Sequence, residues 1–252
     1  MGEGGTYHRL MPDLLEPELA SDVHTRPEPV APWWHTVFVL AVLALWAVYG
    51  ALRWQWPAAV LPHAVTYISS IVVQCLLVGT TIAGLYQRRQ FVRSVLGVGR
   101  AGRIVPDLLK GCLVFASAWA MMAIVGAALR PLHLHQASGV VRALAPHSAP
   151  ELALWMLVSL SAGLGEEFVF RGYLLRQFTR WSGSAAVAVV GTAVLFGCMH
   201  FYEGATGVVL ITVLGAVYAT VAVRRGDLRT VMVAHFLQDA VTGWMIYMRH
   251  QG

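Results

Sequence analysis

Charge is scarce in this chain. Of its 252 residues only 12% are Asp, Glu, Lys or Arg, whereas 57% are hydrophobic. A soluble domain carries about 25% charged residues, so a water-soluble globule is excluded. Cysteine is sparse too. Cys75, Cys112 and Cys198 each fall within an apolar run with no CxxC spacing. They read as small buried hydrophobes, not as a redox pair or metal clip. No basic segment is followed at once by an apolar core near the N-terminus, which excludes a standard cleaved signal peptide. A placed nucleophile is also missing. Ser159 and Ser161 lie in an apolar run, where a hydroxyl is expected to bond a backbone carbonyl. Lysine is nearly absent, with Lys110 the single one among 18 basic residues.

What the chain has in abundance is apolar runs. After a polar, proline-bearing stretch (residues 1–32), expected to be a disordered tail, seven follow. They cover about 33–52, 65–86, 111–129, 152–173, 185–200, 207–223 and 230–248. Most approach the ~20 residues that a helix needs to cross ~30 Å of hydrocarbon. The expectation is an all-α, polytopic membrane helix bundle of about seven transmembrane helices. Residues 33–149 supply the N-terminal spans, and 150–248 hold the polar groups that need explaining. Trp33, Trp34, Trp54, Trp56 and Trp181 fall at span edges, where amphipathic rings favour the interface.

The net charge of +5 does not indicate nucleic acid, because the basic residues sit in short loops between apolar runs. Thirteen lie on one side of a seven-span bundle: Arg9, Arg26, Arg88, Arg89, Arg93, Arg100, Arg103, Lys110, Arg176, Arg180, Arg224, Arg225 and Arg229. Arg53, Arg130, Arg142 and Arg249 lie on the other. That asymmetry predicts a cytoplasmic N-terminus; the expected location is a bacterial plasma membrane, as a multi-pass protein. Two local patterns carry little. Gly97-Val98-Gly99-Arg100-Ala101-Gly102 spells G-x-G-x-x-G without a βαβ unit around it, so it reads as a flexible basic loop. His133, His135 and His147 share the outer connection between the third and fourth runs and read as solvated loop histidines, with a metal site as the rival reading.

The chemistry concentrates after residue 160. Glu166 and Glu167 end an apolar run, and ionisable groups at membrane depth are functional hypotheses by default. Glu167 and Arg171 are four apart, so on a helix they share a face and can pair. Glu166 is turned about 100° away. His235 and Asp239 are again four apart, as are Phe196 and His200. A free carboxylate, two imidazoles and a second carboxylate in a water-poor cavity form a hydrolytic toolkit. On chemistry alone, a proton relay or transporter and a helix-locking scaffold stay open beside hydrolysis.

Glu166-Glu167-x-x-x-Arg171, Phe196-x-x-x-His200 and His235-x-x-x-Asp239 resemble, in that order, the three motifs of the CPBP family. These are intramembrane CAAX prenyl endopeptidases and bacteriocin-processing or immunity proteins. The resemblance covers roughly 150–245 and makes this the CPBP-like catalytic membrane region. It implies an endopeptidase acting on a membrane-associated, prenylated or leader-bearing protein substrate in the bilayer. Glu166 would activate water with His200 beside it, and His235 and Asp239 would bind a metal or hold the oxyanion. Glu167 and Arg171 would orient the site. Where a metal is bound, Glu166, His200, His235 and Asp239 would hold it, and zinc suits them. The family commonly has Asn or Asp at the last position; an ionised Asp239 is a better metal ligand than oxyanion donor. A metal-free, glutamate-driven hydrolysis is the other mechanism that the resemblance implies. An immunity or regulatory protein on the same scaffold and a proton-coupled transporter are the alternatives to an enzyme.

Ideal straight helices do not assemble this site, because His200 closes its span at the face opposite to Glu166. Either the fifth span is broken or re-entrant, or the fourth helix runs on through Arg180. Gly163, Gly165, Gly191 and Gly197 are expected to permit such bends, and access from the cytoplasmic side is favoured.

Overall fold

A computed structural model of the chain describes residues 28–53, 61–90, 92–96, 104–134 and 138–251. Its long helices are α1 (Trp33–Arg53), α2 (His63–Gln87) and α4 (Ile104–Leu129), with short α3 (Val92–Leu96) and α5 (Ser138–Leu144) between or after them. There follow α6 (Ala149–Glu167), a π-helical stretch (Phe168–Leu174), α7 (Leu175–Ser182), α8 (Ala185–Met199), α9 (Gly204–Arg225) and α10 (Arg229–Gln251). No strand occurs among the described residues. The helical membrane bundle expected from the sequence is what forms.

The count of seven spans is not reproduced as such. Among the described residues, five helical stretches are long and apolar enough to cross a membrane: 33–53, 63–87, 104–132, 149–182 and 201–225. Helix α8 has 15 residues and is too short at about 22 Å. Helix α10 has the length, 23 residues, but Arg229, His235, Gln238 and Asp239 make it polar. The glycine-rich stretch 97–102, His135, Trp54 and Trp56 lie outside the described residues, as does the tail to residue 27. Residues 28–32, counted with that tail, are packed. Val30 and Ala31 are buried, and Ala31 exchanges two backbone hydrogen bonds with the Gln177 side-chain amide.

The depth problem is solved by length. The fourth span runs on without a break from Ala149 through Ser182, 34 residues or about 51 Å. The chain then reverses at Gly183, whose φ of +71° suits a residue without Cβ, and Ser184 caps α8 by accepting from the Val187 N–H. Glu166 and His200 each lie seventeen residues from Gly183, so the antiparallel hairpin sets them at one depth. No broken or re-entrant span is needed.

Two of the four glycines expected to permit bends, Gly163 and Gly197, act as contact points between helices. A Cβ on Gly163 would stand 2.9 Å from the Met232 carbonyl oxygen and the Phe236 nitrogen, so the backbones of α6 and α10 touch there. A Cβ on Gly197 would meet the Thr212 side chain and, at 2.7 Å, the Val208 carbonyl of α9. Small residues at crossings are how membrane helices approach closely. Gly165 and Gly191 have only ordinary clearance. Gly163→Ala is expected to push α10 off α6 and lower stability by about 1–3 kcal/mol. Unfolding by denaturing detergent measures this, and an unchanged midpoint would show that the crossing has slack.

At the arginine-rich end, Asp107 of α4 is buried between Arg225 and Arg229, 2.5 and 2.9 Å away, which ties α4 to α9 and α10. The three cysteines are exposed on the bundle exterior, not buried as expected. In lipid an outward thiol loses nothing, so apolar surroundings in sequence did not mean interior position.

Candidate active site

Glu167 closes α6 fully buried, with 0% of its side chain exposed. Its Oε1 accepts from Arg171 Nη1 at 2.8 Å and from His235 Nδ1 at 2.7 Å. The i,i+4 geometry proposed for Glu167 and Arg171 is present, and the π-helical stretch carries the arginine. Arg171 also donates from Nη2 to the Gly215 carbonyl of α9 at 3.1 Å. Its guanidinium lies 4.4 Å from the centre of the Phe196 ring, a cation–π contact. Glu167 and Arg171 therefore bind α6, α9, α8 and α10 at one point.

Glu166 points away from that cluster, as the 100° offset requires. Its side chain is 26% exposed, into a cavity of about 370 Å³ that His200, His235 and Asp239 also line. Glu166 Oε2 is 3.9 Å from His235 Nε2, and Asp239 Oδ2 is 3.6 Å from the same nitrogen. Because Glu167 only accepts while it pairs with Arg171, His235 donates from Nδ1 and turns Nε2 to the two cavity carboxylates. His200 closes α8 and places its Nδ1 3.0 Å from the Phe196 carbonyl oxygen, another pure acceptor. The neutral ring therefore offers the Nε2 lone pair. The Phe196 ring meets the His200 ring edge-on at 5.1 Å. Of the six residues picked from the sequence, five are joined by direct contacts, and His200 faces the same cavity.

Two further residues, Gln74 and Trp155, escaped the sequence reading. Gln74 of α2 donates from Nε2 to Glu166 Oε1 at 3.2 Å, and the Ser161 hydroxyl bonds the Gln74 amide oxygen. Gln74 is the lone amide inside its apolar run, which was the available signal. Trp155 donates its indole N–H to the Asp239 carbonyl at 2.9 Å. Ser159 bonds the Trp155 carbonyl as a membrane-helix hydroxyl should.

The cavity runs from Glu166 toward Trp46, Tyr49, Arg53, Thr66 and Tyr67, at the arginine-poor end of the bundle. Sequence reasoning favoured the arginine-rich end. On that side Phe168, Arg171, Tyr173 and Leu174 are buried and close the floor.

A tetrahedral zinc ion with ligands at 2.0–2.2 Å needs donor atoms about 3.3 Å apart. No three of Glu166, His200, His235 and Asp239 bring donor atoms within 4.8 Å of one another. As placed, these four do not make a zinc ligand set.

A search of curated proteins and of solved structures found no match. Residues 148–241 match the family model described as Type II CAAX prenyl endopeptidase Rce1-like. The part of the chain that carries the three motifs is therefore similar to the CAAX-type membrane proteases, the family that those motifs resemble.

Proposed function

We propose that this protein is an intramembrane endopeptidase in which Glu166 activates water, without a step through a metal. The observation that carries this reading is the division of the glutamate pair. Glu167 is buried and tied through Oε1 to Arg171 and His235, whereas Glu166 keeps a carboxylate edge in the cavity. Glu166 takes a proton from water, and the hydroxide adds to the scissile carbonyl carbon. The His200 Nε2 lone pair accepts the second hydrogen of that water and fixes its direction of attack. A proton held on His235 Nε2, between Asp239 and Glu166, is the donor that meets the oxyanion or the leaving nitrogen. Asp239, unable to donate while ionised, thus acts through His235 instead of replacing an Asn donor. Proton transfer from Glu166 to the leaving amine completes the reaction and regenerates the carboxylate.

The substrate is a membrane-associated protein, prenylated or leader-bearing, whose cleaved segment enters from the arginine-poor end. With the arginine-rich loops cytoplasmic, that end faces outward. Purified protein in proteoliposomes, offered a farnesylated CaaX peptide and a leader-bearing precursor, tests this by mass spectrometry of the products. His200→Ala is expected to lower kcat by about 10²-fold with KM little changed. Wild-type turnover by that variant would remove His200 from the mechanism.

A further inference from the structure

Three metal-ligating side chains, distant in sequence, converge at the rim where the cavity opens. His63 begins α2, His147 precedes the Ser148 cap of α6, and Glu151 lies in the first turn of α6. One ligand atom from each lies within 4.8 Å of the other two, the only such trio among the described residues. His133 and His135, grouped with His147 by the sequence, are not part of it. His135 lies outside the described residues, and His133 is at the end of a turn following α4.

The hydrogen bonds around His63 point to a cation. Its Nε2 is 2.8 Å from the Ala143 carbonyl oxygen, which can only accept, so Nε2 carries the hydrogen. The neutral ring then directs the Nδ1 lone pair at Glu151 Oε2, 3.1 Å away. That oxygen is an acceptor too, already receiving the His147 backbone N–H at 2.8 Å. Two acceptors this close need positive charge beside them. Their separation is near the ~3.3 Å edge of a tetrahedral site with ligands at 2.0–2.2 Å. The Ala143 carbonyl is placed as the outer partner that sets the tautomer of a ligating imidazole.

A fourth donor is at hand. The His147 ring lies 5.0 Å from that of His63 and 4.6 Å from that of His250, in the last turn of α10. Gln251 donates to the His147 carbonyl at 3.2 Å, which holds this end of α10 against the loop.

We propose that His63, His147 and Glu151 bind a divalent transition-metal ion, zinc in the first instance, with His250 as fourth donor. Imidazoles with one carboxylate suit zinc. The site clamps α2, the start of α6 and the end of α10 at the cavity mouth, separate from the residues that cut. His63 stacks on Tyr67 at 5.8 Å; Tyr67 lines the cavity and meets Trp155 edge-on at 5.6 Å. Trp155 in turn bonds the Asp239 carbonyl, so the clamp steadies the rim above the active site.

The test uses full-length protein in detergent, stripped with a chelator, dialysed, and titrated with zinc alone. Bound zinc and Tm are both measured. Wild type is expected to take up one zinc per chain with a rise in Tm. His147→Ala, an exposed position that does not threaten folding, should weaken zinc binding at least about tenfold. Glu151→Gln should do the same, while His235→Ala keeps the ion. The proposal fails if stripped wild type takes up no zinc, because a proton on His63 then supplies the charge in a plain ion pair. It fails equally if His147→Ala retains wild-type affinity, or if the zinc is lost with His235→Ala, which would assign the metal to the active site. Zinc content is read independently of cleavage, so this result and the hydrolytic mechanism stand or fall separately.

Discussion

Glu166→Gln is expected to lower the rate of peptide hydrolysis by about 10²–10⁴-fold, the range that a general base supplies. The fold should survive, because nothing in the packing depends on the charge of this side chain. Its one hydrogen bond is accepted from Gln74, and a glutamine at 166 keeps a carbonyl oxygen for it. Its nearest cationic candidate, His235 Nε2, is 3.9 Å away, beyond a hydrogen bond. The side chain faces the cavity with 26% of its surface open, so no buried pair is broken. The measurement is kcat in proteoliposomes beside the unfolding midpoint of the same preparation. A large drop in kcat at an unchanged midpoint is the expected pair of results. Full turnover by this variant would falsify the assignment of Glu166 as base.

Arg171→Ala is expected to have the opposite profile, with stability lost first. It leaves the Glu167 carboxylate buried at 0% exposure with His235 as its one remaining hydrogen-bond donor. Removing one partner of a buried pair costs about 3–5 kcal/mol, because the charge left behind stays desolvated. The Gly215 carbonyl of α9 and the face of Phe196 lose their cation as well. The expected observation is a marked fall in the unfolding midpoint, with activity lost through the displaced His235. Arg171→Lys should recover only part, since one ammonium cannot reproduce a planar fork reaching both Glu167 and Gly215. If Arg171→Ala unfolded like wild type yet failed to cleave, the pair would belong to the chemistry and not to the frame. In a double-mutant cycle, Glu167 and Arg171 should show a coupling energy, whereas the distant Gly163 and Arg171 should add more nearly.

The two glutamates, adjacent in sequence, thus have separate fates that local geometry already implied. A helix turns 100° per residue, so one of any neighbouring pair must leave the face the other takes. The i,i+4 spacings of Glu167 with Arg171, Phe196 with His200, and His235 with Asp239 are likewise local facts, and each pair is in contact. Composition determined that the chain is a helical membrane bundle, because no soluble core could be built from so little charge.

What spacing within one helix cannot encode is which helix stands opposite. Gln74 reaches Glu166 across 92 positions, and His63 reaches Glu151 across 88. Both meetings depend on how α2 packs along α6. The buried His35, bonded through Nδ1 to the Tyr173 hydroxyl at 2.8 Å, is a third such meeting. The depth of His200 and the direction in which the cavity opens were decided in the same way. The sequence by itself determined the pairs that one turn of helix brings together and the apolar runs that carry them. Only the tertiary structure decided that the fourth helix runs unbroken to Ser182, that Gly163 brings α10 against it, and that the site opens toward Arg53. The physical reason is range. Helical periodicity follows from the backbone within a few residues, whereas the crossing of two helices follows from the fit of surfaces remote in sequence.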